Sequence, residues 1–317
     1  MTGRPRKQSR LPRLSAGALA LWLAGQAAAA APVASVYSRT EPTARPANAT
    51  EAAAQAERIV ASALANLAQA ETVSLRLRQR VRLGNRVLVG AGRYLQAGQG
   101  EERRFRFDTT LTCDTESFEV TEVSDGLFFW SHRRIGADTS ELQRVDVQRV
   151  RSRLAELEVA NPDETAAYLG GLQRLLWWTR QWFWFEEAVP GEIEGRPVWF
   201  VTGHTPPTAL AGVMPHLAQA AGEPGGIRPE ALPDGWPFVV RLSVGRADLL
   251  PHRVEFLGIP GTRPVAPAEI EPIAVVDLLE IELNGPVDAA GFFYQPATAG
   301  LIDVTNHHVE TLAPLRP

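Results

Sequence analysis

Glu186 and Glu187 stand at the end of an aromatic run, where acid–base chemistry could arise. A carboxyl pressed against tryptophan loses solvation, and its pKa rises toward that of a general acid. Spacing places no second carboxylate with them, and a strand leaving the core to meet water carries the same residues. His204 would complete an acid–base set only if all three converge in one pocket. His307 and His308 are sequence neighbours, which on a strand point to opposite faces. With only Asp303 and Glu310 nearby, they read as a solvated pair and not as a metal site. Cys113 is the single cysteine; it excludes an intramolecular disulfide and sits where a strand places its apolar side chains. The chain carries no G-x-S-x-G, Walker, H-E-x-x-H or dinucleotide-binding pattern. These residues predict a protein without catalytic site, metal or cofactor.

The aromatic residues carry more. Of eight tryptophans, Trp177, Trp178, Trp182 and Trp184 fall within one short stretch. A strand reading Trp182-Phe183-Trp184-Phe185 would be apolar on both faces and would need cover on both. A helix can cover one face. The other calls for a second layer, an insertion or an apolar ligand. Flat, dispersive side chains accept varied acyl chains, but they also build an ordinary heavy core. Both readings stay open on composition.

The 317 residues hold 32 basic and 36 acidic side chains, a net charge of −4, with 45% hydrophobic residues. That balance disfavours a nucleic-acid binder. Residues 1–34 hold Arg4, Arg6, Lys7, Arg10 and Arg13 with no acid, then an apolar stretch from Leu14 to Ala24 and an alanine tract. This is the pattern of a secretory signal peptide, with an uncleaved membrane anchor as the alternative that the alanine-rich stretch and Gln26 disfavour. Removing those five leaves 27 basic residues against 36 acidic ones, a net charge of −9. The protein is expected to be exported. Residues 35–49, rich in Ala, Pro and Thr, read as a disordered leader.

Thr50 is placed to cap a helix over 51–70 with Ile59, Val60, Ala63, Leu64 and Leu67 on one stripe. The period then changes to two. Val73, Leu75, Leu77, Val81 and Leu83 alternate with Arg76, Arg78, Arg80 and Arg82, the pattern of a half-buried strand. Gly84-Asn85 turns into a second strand. Phe105, Phe107, Thr109, Leu111 and Cys113 form the inward side of a third. Phe118 and Val120 mark a fourth, and Asp125-Gly126 a hairpin into Leu127-Phe128-Phe129-Trp130. Asn161-Pro162-Asp163-Glu164 opens a helix carrying Leu169, Leu172, Leu175, Leu176 and Trp178. Gly170-Gly171 weakens that helix or admits a close neighbour. Strands resume around Val198–Val201, Phe238–Val244, Val254–Phe256 and Val275–Leu283. Between them lies a Pro/Gly-rich excursion over 204–237 with one short helix near 210–221.

The order of these elements resembles the LolA-like outer-membrane lipoprotein carriers. The resemblance rests on Val73 to Val81 with Gln79, on Gly90-Ala91-Gly92, and on Val123-Ser124-Asp125-Gly126 leading to Trp130. It continues with Arg241–Val244, Leu250-Pro251 leading to Phe256, Phe292-Phe293-Tyr294-Gln295-Pro296, and Ile302-Asp303-Val304. It spans residues 50–305 as one domain, with insertions at about 150–181 and 204–237, and leaves 306–317 as a tail.

The resemblance implies an α+β fold: an incomplete, strongly curved antiparallel β-barrel with helices lidding its concave face around an apolar cavity. Residues lining that cavity would be Leu77, Val81, Phe105, Phe107, Leu111, Phe129 or Trp130, and Trp182 or Trp184. It further implies a periplasmic carrier of lipid or acylated lipoprotein. Such a carrier would exchange cargo with envelope donor and acceptor proteins, touch the membrane only peripherally and leave nucleic acid alone. The alternative on the same scaffold is an envelope interaction or stress-sensing module with a filled cavity.

Overall fold

The computed structural model describes residues 50–137, 139–157, 169–223, 226–228, 231–233, 235–258, 270–297 and 299–311. The expected signal peptide, the leader and the cap at Asn161–Glu164 lie outside the described residues, as do residues 312–317 of the expected tail.

Helix α1 (Glu51–Gln69) begins where the Thr50 hydroxyl accepts a hydrogen bond from the Ala53 amide at 3.2 Å. That bond satisfies one of the amides a helix start leaves unpaired. Ala53, Ala56, Val60, Ala63 and Leu67 form its buried stripe. Ile59 and Leu64 pack at its margin. The chain then enters a meander of β1 (Thr72–Leu83), β2 (Arg86–Ala97), β3 (Arg104–Cys113), β4 (Glu116–Ser124), β5 (Phe128–Ile135) and β6 (Thr139–Asp146). Asp125 makes the β4–β5 turn by accepting from the amides of Leu127 and Phe128 at 2.8 and 2.7 Å.

Strand β6 adds to the sequence reading, which marks no element between the Trp130 hairpin and the cap at Asn161. Only Leu142 and Val145 of Thr139–Asp146 are buried apolar residues. Two such residues are too few to reveal a period of two. Helix α2 (Val147–Glu156) follows directly, capped by the Asp146 carboxylate on the Arg149 amide at 3.1 Å.

After α3 (Gly171–Trp182) a second meander is built from β7 (Trp184–Ile193), β8 (Arg196–His204), β9 (Pro237–Gly245), β10 (Pro251–Gly258) and β11 (Glu271–Leu283). The 204–237 excursion holds α4 (Pro207–Val213) and α5 (Ala218–Ala221). Its own small core joins Leu210, Met214 and Leu217 to Ile227, Leu232 and Trp236. Strand β12 (Leu301–Asp303) then pairs parallel to β6, and α6 (Thr305–Thr311) ends the described chain. The Asp303 carboxylate, bonded to Thr305 and to Arg144, is held down at about 2.

The described residues form one sheet of twelve strands in the order β12-β6-β5-β4-β3-β2-β1-β11-β10-β9-β8-β7. Its two end strands do not pair with each other, so the barrel is incomplete. Strands β1 and β11 form the seam between the two meanders, with Leu77 opposite Leu278 and Val81 opposite Ala274. Arg78 on β1 meets Glu194 in the β7–β8 turn at 3.5 Å. Four strand steps in a flat sheet would hold β1 and β8 about 19 Å apart. The sheet is therefore strongly curled, and the helices sit against its inner side.

Two glycines help set that curl. A Cβ on Gly92 would lie 2.5 Å from the Asp108 carbonyl oxygen and 3.1 Å from Thr109 Cβ. One on Gly90 would strike the Thr110 carbonyl and Leu111. Most of the obstructing atoms are backbone, so they cannot swing away as a flexible side chain would. Gly92→Ala is expected to lower stability by about 1–3 kcal/mol, measured as a fall in the urea midpoint with an unchanged m-value.

Candidate functional site

Strand alternation and register select the side chains of the concave face. From β1, Leu77 aligns with Gly92 of β2. Gly92 aligns with Thr109, and Thr109 with Val120. One step along the strands, Leu75 aligns with Tyr94, Tyr94 with Phe107, Phe107 with Glu122 and Glu122 with Ser131. Leu77, Val81, Phe105, Leu111, Phe129 and Trp182 all lie in the continuous core between sheet and helices, and Phe107 packs at its edge. The structure brings these seven expected residues to one side of the sheet.

Trp130 goes elsewhere. Alternation turns Phe129 inward and Trp130 outward, where its ring lies 6.0 Å from Phe128 and 6.2 Å from Tyr294. The Arg144 guanidinium caps this outer patch, 4.8 Å from the Phe128 centroid and 5.8 Å from that of Trp130.

Trp182-Phe183-Trp184-Phe185 is not a strand. Trp182 is the last residue of α3, and Phe183 closes it by donating its amide to the Thr179 carbonyl at 3.2 Å. The buried set Leu172, Leu175, Leu176, Thr179 and Trp182 keeps helical spacing up to that point. Trp184 opens β7 opposite His204 and is half-buried, whereas Phe185 beside it is fully buried. The aromatic run therefore spreads over a helix end and a strand start.

Helices α1 and α3 cross the concave face antiparallel to each other. At one end the Gln173 amide donates to the Leu67 carbonyl at 3.4 Å; at the other Arg180 meets Glu57 at 2.7 Å. Gly171 has φ +70°, a conformation only glycine adopts freely, and a Cβ there would press on Phe105 and Tyr94 at about 3.0 Å. A Cβ on Gly170 would sit 3.0 Å from Phe129. The glycine pair thus lets α3 start flush against three rings, with Phe105 6.3 Å from Tyr94 and 6.0 Å from Phe129. Twelve residues of helix lead to a second group: Trp178 lies 5.7 Å from Trp182, 6.1 Å from Phe183 and 6.2 Å from Phe256.

A buried polar network fastens both helices to the sheet. The last carbonyls of α1 lack intrahelical partners. Gln96 donates to the Leu67 carbonyl at 3.2 Å, Arg103 to that of Ala68 at 2.6 Å and Gln99 to that of Gln69 at 2.5 Å. Arg103 also reaches Gln173 at 3.1 Å, and Gln96 accepts from both Tyr94 and Gln173, at 2.9 and 3.1 Å. Sequence reading missed this network. The signal was the alternation itself, which carries Gln96 inward two residues after Tyr94.

The catalytic candidates do not converge. Glu186 lies 3.6 Å from His204, both on the exposed surface, and Glu187 is exposed as well. Among the described residues no group of three or more His, Cys, Asp or Glu side chains is placed to hold a metal ion. His307 and His308 lie on α6 instead of a strand. Cys113 is buried, its sulfur 3.3 Å from Arg86 Nε. A groove of about 110 Å³ between β8 and β11 is lined by charged groups matched to one another. Asp277 pairs there with Arg253 at 2.5 Å and with Arg78 at 2.9 Å, while His252 meets Asp248 at 3.0 Å.

No protein-family model matches the sequence, and no curated protein matches it. Several solved structures are similar in shape. The chain aligns with a chain of the Pseudomonas aeruginosa MucA/MucB complex at 9% identity and a TM-score of 0.34, covering 76% of this chain and 61% of that one. It aligns with an outer membrane lipoprotein-sorting protein domain from Vibrio parahaemolyticus at 9% identity and a TM-score of 0.29, covering 76% and 97%. With the Mycobacterium tuberculosis lipoprotein LppX the identity is 10% and the TM-score 0.32, covering 74% and 98%.

Proposed function

We propose that the protein is an exported carrier that holds an acyl chain, of a lipid or an acylated lipoprotein, between its two crossing helices and the concave face. It hands that chain to an envelope partner, by binding and release without covalent chemistry. The supporting observation is that α1 and α3 lie across a face of aliphatic and aromatic side chains, joined to it by one localised polar network. Rings and branched chains there offer dispersive contacts, and each buried methylene is worth about 0.8 kcal/mol. Entry requires α3 to lift from its two ring groups, a lid motion of the kind that gates many binding sites.

A second reading has its own observation. The Trp178, Trp182, Phe183 and Phe256 rings are all buried and occupy the space beneath the end of α3. On that reading the scaffold is filled by its own side chains and serves as an interaction or sensing module.

A photoreactive fatty acid separates the two. Crosslinks to Phe105, Phe129 or Trp182 are expected, with Trp130 on the outer face as the internal control. Labelling confined to Trp130, or no labelling together with an empty protein in native mass spectrometry, would overturn the carrier reading in favour of the filled module.

A further inference from the structure

The concave face is not apolar throughout. Inward positions of β4 and β5 carry Ser124, Glu122, Ser131 and Arg133, with Glu122 opposite Ser131 and Val120 opposite Arg133. Arg133 is 9% exposed, and all three of its guanidinium nitrogens are buried without a hydrogen-bond partner. The hydroxyls of Ser131 and Ser124 are buried and without partners as well.

A guanidinium offers five N–H donors and no acceptor. Burying it without acceptors sacrifices its hydration for nothing, and an apolar side chain of similar volume would serve the core better. Glu122 and Glu141 favour its charge through space, but neither hydrogen-bonds it. Glu122 accepts from the Gly171 amide at 3.0 Å, and Glu141, opposite Arg133 on β6, accepts from Gln143 at 2.6 Å. Arg174 adds a second positive charge nearby and donates to the Leu169 carbonyl at 3.3 Å. Burial lowers Arg133 to about 10, so it stays charged at neutral pH. Phe129 lies on the same face of β5, two residues before Ser131, and its ring leads on to Phe105.

We propose that Arg133 and Ser131 form an interior oxyanion subsite for the carboxylate or phosphate head of an anionic amphiphile whose chain runs past Ser124 along Phe129 and Phe105. The subsite rests on the acyl-carrier reading and adds to it the charge and orientation of the cargo. The arginine donates two parallel hydrogen bonds to the head, the geometry it shares with carboxylates and phosphates generally. The Ser131 hydroxyl, two residues from Arg133 on the same face of β5, supplies a further donor.

The test is a displacement titration of the full chain with palmitate, hexadecyl phosphate, hexadecanol and inorganic phosphate. The wild type is expected to bind the two anionic amphiphiles about 10–100-fold more tightly than hexadecanol. Arg133→Met should abolish that preference, so that the anionic amphiphiles bind no more tightly than hexadecanol. Ser131→Ala, a smaller change that leaves the fold intact, should reduce the preference about 3–10-fold. Equal affinities in the wild type, or a preference that survives Arg133→Met, would overturn the subsite and leave the carrier standing. Binding of inorganic phosphate alone, lost in Arg133→Met, would overturn the amphiphile and make a free anion the ligand. No binding of any probe would overturn both readings.

Discussion

Phe256→Ala lowers the unfolding free energy by about 3–5 kcal/mol, read as a shift of the urea midpoint. The side chain is fully buried and its ring lies 6.2 Å from Trp178 and 6.1 Å from Phe183. Its removal deletes the contact that ties the end of α3 to β10. Rings on two different elements cannot close the gap without moving one of them, so the cavity term adds to the lost burial. Phe293→Ala is the matched control. That side chain is 71% exposed, and its loss should stay within about 0.5 kcal/mol. Equal effects of the two substitutions would mean that the ring group beneath α3 does not hold the helix down.

Arg103→Met is expected to lower stability by about 3 kcal/mol. The substitution keeps the apolar stem but leaves the Gln173 side-chain oxygen and the Ala68 carbonyl, both now served by Arg103, without that donor. The loss should be local first. Hydrogen exchange at the last turn of α1 and the first turn of α3 should accelerate at denaturant concentrations where β1 and β2 remain protected. Uniform loss of protection across the sheet would show that these helices do not open separately from it. Under the carrier reading the same variant should take up an acyl probe faster, because lid opening precedes entry.

Much of the frame was legible in the residues. The alternation of Val73, Leu75, Leu77 and Val81 with four arginines identifies both a strand and its inner face, because the two sides differ so strongly in polarity. The Asp125-Gly126 turn and the Thr50 cap are local chemistry and needed no tertiary information. Strand β6 was hidden because Thr139–Asp146 is polar on most positions and is held by its neighbours, with β5 on one side and β12 on the other. The Trp182–Phe185 run misled because bulky apolar residues fit a buried helix end as well as a strand. Only the Thr179 carbonyl, reached by the Phe183 amide, separates the two.

The candidate site was legible in its apolar half alone. Leu77, Phe105, Leu111 and Phe129 announce a core by type. Gln96, Arg103 and Arg133 are residue types that usually face water, so their types alone do not announce burial. Arg133 shares the alternation of Phe129 and Ser131, so its inward position was written in the strand. Nothing in the sequence said that its guanidinium would find no hydrogen-bond acceptor there.

The seam between β1 and β11 also governs how the molecule comes together. The first meander is made of hairpins between neighbours in the chain that close over short loops, and the second is too except where the 204–237 excursion separates β8 from β9. The seam joins residues such as Arg78 and Asp277, 199 positions apart. A large share of the loop entropy of assembly therefore falls on this pairing, with a second share on that of β12 with β6, and both slow the assembly of the sheet. Until that pairing forms, β1 is an unpaired edge with an apolar inner face, the kind of surface that recruits other chains. The first meander thus waits for the last long strand, and the four arginines on the outer side of β1 keep that waiting edge apart from copies of itself.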